Sequence, residues 1–161
     1  MLSEDEKEFV NVKIVDVQTN LTPTEILLHI EIQNNFREPI WIVNDDWFVW
    51  KKEGEKIHIS LAREKMRPGV EVFGYFNPNR KKVGPQETFY RKLKLIFPLR
   101  LNMIWNKEDK VRLSPGKYQL KATVGYGFEE KFDDIKSENI EQDILNWQKK
   151  STSEYVTITV T

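Results

Sequence analysis

From Glu25 to Asn34 the chain alternates, with Ile26, Leu28, Ile30 and Ile32 on one parity and Leu27, His29, Glu31 and Gln33 on the other. A period of two predicts a strand with one face on a core and the other toward water. Upstream, Val10, Val12 and Ile14 alternate with Asn11 and Lys13, after which Val15 and Val17 take the opposite parity. One extra residue near Val15, a β-bulge, accounts for the switch. Asn34 to Pro39 reads as a turn and connection, because Pro39 has no donor for a ladder and must open the strand Ile40 to Val43. Asn44-Asp45-Asp46 punctuates, Trp47 to Trp50 is extended, and Lys51 to Lys56 reads as a hairpin loop into Ile57, Ile59 and Leu61.

Arg67-Pro68-Gly69 is a turn before a strand Val70 to Phe76, and Asn77 to Pro85 reads as a long polar loop. Phe89, Arg91, Leu93, Leu95 and Phe97 share one parity of the next strand. Leu99 to Trp105 fits both a strand and a helical turn. After a turn at Leu113 to Gly116, Tyr118, Leu120, Ala122 and Val124 alternate cleanly up to Gly125-Tyr126-Gly127. Between Asp133 and Lys149 the period changes, since Ile140, Ile144 and Trp147 fall at helical spacing in a segment without Gly or Pro. Ser137 is a candidate cap for that helix. Tyr155 to Thr161 closes the chain as a strand in which Val156, Ile158 and Val160 alternate with threonines. About eight short strands with one late helix predict an all-β antiparallel sandwich. No repeat or linker divides the chain, so residues 1–161 are read as one domain with a helical insertion at 128–152.

Leu113-x-Pro115-Gly116-x-Tyr118-x-Leu120 resembles the entry to the sixth strand of immunoglobulin-like domains, where a tyrosine two residues before an inward core position makes the tyrosine corner. The resemblance implies that Leu120 stands where antibody domains carry their second cysteine, Leu28 or Ile30 at the first, and Trp41 at the tryptophan of the third strand. The 79 residues from Trp41 to Leu120 exceed a minimal domain of this kind. An immunoglobulin-like β-sandwich implies a fold and no activity, because the architecture hosts many unrelated functions.

Composition mainly excludes. The 161 residues suffice for a core without staples, and the absence of cysteine removes disulfides, thiol nucleophiles and thiolate zinc sites. Lys and Arg total 25 against 25 Asp and Glu, which argues against a nucleic-acid binder. No apolar run reaches the roughly 18 to 20 residues of a membrane span. The acidic start, Met1 to Glu8, is unlike an export signal, so the expected compartment is the cytoplasm if Met1 is the native start and the cell envelope or exterior otherwise.

Candidate chemistry is sparse. His58 and Ser60 share a strand parity and could face each other, yet both are expected on the wet face opposite Ile57, Ile59 and Leu61, and His29 on the wet face of its own strand. Two histidines 29 residues apart give no zinc motif, and turn and helix-start chemistry account for Asn44-Asp45-Asp46 and Asp133-Asp134 as well as calcium would. No phosphate-cradling glycine loop is present, no cofactor or metal is expected, and the chain is read as a non-enzyme.

The zero net charge conceals an asymmetry. Arg80 to Arg112 holds ten cations against three acids, and Glu129 to Asp143 seven acids against two lysines. Either the acidic insertion packs across the basic strands, the favoured arrangement, or the two faces serve an acidic partner or self-association. Trp41, Trp47 and Trp50 form the densest ring cluster, with Trp47 and Val49 on one strand face and Phe48 and Trp50 on the other. The expected function is protein recognition through loops or this aromatic strand, with Trp41, Trp47, Trp50, Arg80, Lys81 and Lys82 as candidate binding residues. The alternatives are a carbohydrate-binding module using exposed tryptophans, and an immunoglobulin-like proteinase inhibitor presenting Asn77 to Pro85 or Asn44 to Trp47.

Overall fold

The computed structural model describes residues 9–19, 25–44, 48–64, 80–96, 114–129 and 147–160. Ten strands form two sheets in this part of the chain. The smaller has the order β1 (Val10–Gln18), β2 (Glu25–Asn34), β7 (Thr88–Ile96). The larger runs β4 (Val49–Glu53), β5 (Lys56–Ser60), β8 (Gly116–Gly127), β3 (Ile40–Val43), β6 (Arg80–Val83), with β9 (Lys149–Thr152) and β10 (Val156–Val160) also pairing β8.

The alternating pattern specifies the inner faces. Ile26, Leu28, Ile30 and Ile32 are buried in β2, as are Leu93 and Leu95 in β7 and Val10 and Val12 in β1. They join Ile40, Ile42, Phe48, Trp50, Ile57, Ile59, Leu120, Ala122 and Val124 of the larger sheet in one continuous core. The β1 register slips between Ile14 and Asp16, so Val15 is the extra residue of a bulge and its side chain is exposed. The β4–β5 hairpin turns on Gly54-Glu55, with Gly54 at φ +60°. A positive φ at the first of two loop residues matches the right-handed strand twist, and glycine adopts it without strain.

β8 organises the larger sheet. β10 pairs with Gly116 to Leu120 and β9 with Thr123 to Tyr126 on one side, while β5 pairs with Gln119 to Thr123 and β3 with Tyr126 and Gly127 on the other. At the β9–β10 junction Ser153 fills the gap, its backbone N–H donating to the Ala122 carbonyl and its Oγ accepting from the Ala122 N–H. Tyr118 donates its hydroxyl to the Ser114 carbonyl at 2.7 Å, locking the entry to β8.

Four expectations need correction. The larger sheet is mixed, because β5 runs parallel to β8; the long segment between Ser60 and Gly116 gives the crossover that parallel pairing requires. The loop expected from Asn77 to Pro85 contains strand β6, whose Val83 is buried opposite Ile40. Within the expected helical insertion, residues 130–146 lie outside the described residues, and Lys149–Thr152 is strand rather than helix or its exit. Trp41 is not a core residue: Ile40 and Ile42 point inward, which turns Trp41 to the outer face, and Trp50 is the tryptophan enclosed in the core. The strand expected at Val70 to Phe76 and the ambiguous Leu99 to Trp105 lie outside the described residues.

Asn34 joins the two sheets. It is fully buried at the end of β2, and its Nδ2 lies 2.9 Å from the Glu38 carbonyl and 3.1 Å from those of Val83 and Gly84. Its Oδ1 accepts from the Phe36 N–H at 2.8 Å, and its backbone bonds both Glu87 and Gln86. The partner turn Gly84 to Glu87 closes with a Glu87 N–H to Gly84 carbonyl bond, with Pro85 at its second position and Gln86 at φ +64° in its third. That is a type II turn carrying a residue other than the usual glycine or asparagine at the strained corner. Replacing Asn34 by alanine strands several buried acceptors and one donor, so unfolding in urea should show a loss of about 3 kcal/mol. A loss under about 1 kcal/mol would show that these bonds contribute little.

Candidate binding surface

Of the sequence-predicted site residues within the described region, Trp41, Arg80 and Lys82 lie on the outer face of the larger sheet, while Lys81 shares the inward parity of Ile42 and Val83 and reaches toward Phe89 of the smaller sheet. Trp50 is completely enclosed and offers no surface to a ligand; Trp47 lies outside the described residues. Phe48 and Trp50 share a face, as expected, and it is the inner one, while Val49, on the other face, is buried as well. The remaining candidates gather where β3 pairs β6. Trp41 sits opposite Lys82 in one register and opposite Gly127 of β8 in the other. The Lys82 ammonium stands 5.6 Å from the centre of the Trp41 ring, a cation–π contact. Lys81, exposed, lies 5.9 Å from the Phe89 ring, and Arg80 is half-buried opposite Val43. Among the described residues β6 is laddered on one side only, so three consecutive cations flank a strand edge beside a half-exposed tryptophan.

Two glycines of β8 allow a second layer to settle on this face. A Cβ at Gly127 would overlap the ring of Trp147, and one at Gly125 would overlap the side-chain amide of Gln148. Trp147 donates Nε1–H to the Glu129 carbonyl at 2.9 Å. The Gln148 amide imitates a strand partner, accepting from the Arg63 N–H and donating to the Arg63 carbonyl, each at 2.8 Å. Neither glycine carries a recognisable sequence signal, because an expected strand end explains a Gly-Tyr-Gly equally well.

Toward β4 the same face holds the His58 and Ser60 pair. They do share a face, but it is not the wet face expected for Ser60, which is fully buried because the chain folds back over it as far as Glu64. The two bond to different partners. Ser60 Oγ donates to Glu64 at 2.8 Å, and the other Glu64 oxygen accepts from Lys150 at 2.8 Å. His58 Nε2 lies 2.6 Å from Thr123 Oγ1, itself 2.7 Å from Thr152 Oγ1. Burial first, then the charges of Lys121, Lys51 and Lys150, push the His58 imidazole down to about 4. Asp45, Asp46 and the acidic run after Glu129 lie outside the described residues.

No family model matches the chain, and no curated protein does. Among solved structures it is similar to two structures of a β-glucosidase from Kluyveromyces marxianus, one selenomethionine-labelled and one in complex with glucose. Identities are 18% and 16% and TM-scores 0.31 and 0.30, over 94% of this chain. The chain spans 15% of the length of those chains.

The depressed His58 pKa has a definite sign in stability. Between pH 6.5 and about 4 the unfolded chain binds the proton that the folded imidazole refuses, so acidification through that window favours unfolding. Urea midpoints at pH 7 and pH 5 should fall further for the native sequence than for His58→Gln. Equal losses in both proteins would place the acid sensitivity elsewhere.

Proposed function

We propose that the chain is a non-catalytic binding domain of immunoglobulin-like sandwich type that recognises an acidic, extended segment of a partner protein along strand β6. The pairing pattern supports the fold reading. In immunoglobulin domains the first, second and fifth strands share one sheet and the third, sixth and seventh the other. Here β1, β2 and β7 share the smaller sheet, and β3, β8 and β10 belong to the larger. Tyr118 adds the hydroxyl-to-backbone bond of a tyrosine corner, reaching four residues upstream. The outward-facing Trp41 departs from that pattern, and the β4–β5 hairpin is an addition to it.

The single observation that carries the binding reading is the edge that β6 presents among the described residues, with its Arg80-Lys81-Lys82 run and the Lys82–Trp41 contact. An incoming strand gains main-chain hydrogen bonds from an edge of this kind, and its side chains choose the partner. Lysines on an edge also repel a second copy of the same edge, which favours an acidic partner over self-pairing through β6. The carbohydrate reading is weaker among the described residues, because Trp50 is enclosed and Trp41 is only partly exposed. The inhibitor reading loses four of the nine residues of one of its two loops to β6.

An extended peptide alternating Glu and Val, titrated into labelled protein, should shift the amides of residues 80–83 and the Trp41 indole. Lys81→Glu with Lys82→Glu should weaken binding at least tenfold, and added salt should weaken it in the native sequence. Unshifted β6 amides, or an affinity indifferent to charge reversal, would refute the proposal. A response of the Trp41 indole to β-glucan or xylan oligosaccharides would favour the carbohydrate reading instead.

A further inference from the structure

A second cluster of cations lies at the other end of the outer face, away from β6. The registers of β4, β5 and β8 bring Lys51, His58 and Lys121 side by side in one row, with Lys56 and Glu53 paired two residues along. These five side chains and Tyr155 line an open pocket of about 110 Å³. The space has room for one tetrahedral oxyanion. Tyr155 comes from the loop between β9 and β10, and its ring stands 4.9 Å from the Lys121 ammonium and 5.4 Å from that of Lys56.

We propose that this pocket binds a phosphate monoester as its dianion. Charge is the first argument. Three lysines against Glu53, with His58 neutral, leave a net charge of 3 − 1 = +2 on the lining. A carboxylate would neutralise half of it and a phosphate monoester nearly all. Size is the second, since the volume accommodates one phosphoryl group. Placement is the third. Lysine acts on phosphate as a point charge, so several ammoniums converging from different strands serve where a single arginine fork is absent. Tyr155 holds two of them on one ring without cancelling their charge, as a carboxylate there would. His58 forms the floor, fixed by Thr123 and backed by Thr152.

The groups bearing on His58 are Lys51 and Glu53 from β4, Lys56 beside it on β5, Lys121 from β8, and Lys150 from β9, the last already paired with Glu64. The monoester is a monoanion by the pH at which His58 titrates, but a bound anion still opposes the lysine field and raises the His58 pKa from about 4.

The test is an NMR titration at pH 7 and fixed ionic strength, with methyl phosphate as probe and acetate as the monoanionic control. Saturable shifts are expected at Lys51, Lys56, His58 and Lys121, with acetate at least tenfold weaker, and a His58 titration curve moved to higher pH by methyl phosphate. Lys121→Gln should weaken binding about tenfold. Lys56→Gln, at an exposed position, should do the same without disturbing the fold, while Lys92→Gln on the smaller sheet should leave binding unchanged. A phosphoserine tripeptide binding more tightly than methyl phosphate points to phosphorylated proteins as the source, and equal binding to small phosphate esters; both uphold the site. Absence of saturation, an unmoved His58 titration, or equal losses in Lys92→Gln and Lys121→Gln would overturn it.

Discussion

The side-chain amide of Asn34 holds together pieces of chain that are far apart in sequence. One end of β2, the approach to β3, the end of β6 and the turn into β7 all bond to this residue. Backbone groups at strand ends need partners once they are buried, and an amide with two donors and an acceptor satisfies several at once. Because β2 belongs to the smaller sheet and β6 to the larger, the same residue sets how the sheets meet. It also places Phe36, which packs edge-on to Phe128 at 4.9 Å and tilted to Tyr126 at 6.1 Å. Those rings anchor the end of β8 beside Gly127, which is where Trp41 pairs. The geometry of the basic edge therefore descends from a buried asparagine with no surface of its own.

Part of the outer face of the larger sheet is covered by the chain itself. Gly125 and Gly127 admit Gln148 and Trp147 close to the backbone of β8, and the chain from Leu61 to Glu64 folds over Ser60. Among the described residues, lysines flank this cover on either side, Lys82 beside Trp41 and Lys51, Lys56 and Lys121 beside His58. The polar groups beneath are satisfied locally, through Ser60 with Glu64 and Lys150, and His58 with Thr123 and Thr152. A buried polar layer of this kind costs stability unless its members are bonded, which accounts for the concentration of serine and threonine where strands usually carry aliphatics.

Much of the fold is legible in the sequence wherever one face of a strand meets the core. The alternation of β2, the bulge at Val15, the core parity of β8 and the split of Phe48 and Trp50 from Val49 all follow from a period of two. The signal fails for three physical reasons. β6 is four residues long and has one buried side chain, Val83, so three cations and a turn disguise it as loop. The immunoglobulin resemblance puts Trp41 inward, whereas its own parity, between Ile40 and Ile42, places it outward. The burial of Ser60 and the parallel pairing of β5 depend on segments distant in sequence, which no local pattern reports. The lysine row around His58 is likewise a product of register between three strands, invisible until Lys51, His58 and Lys121 are set side by side.

If Asn34 and the shared core make the two sheets one cooperative unit, their amides must exchange with solvent through the same opening. Native-state hydrogen exchange measures this directly. The amides of Ile30 and Ile32 in β2 and of Leu120 and Val124 in β8 should show one common opening free energy, equal to that of global unfolding. A smaller sheet that opens at distinctly lower free energy than β8 would contradict the account.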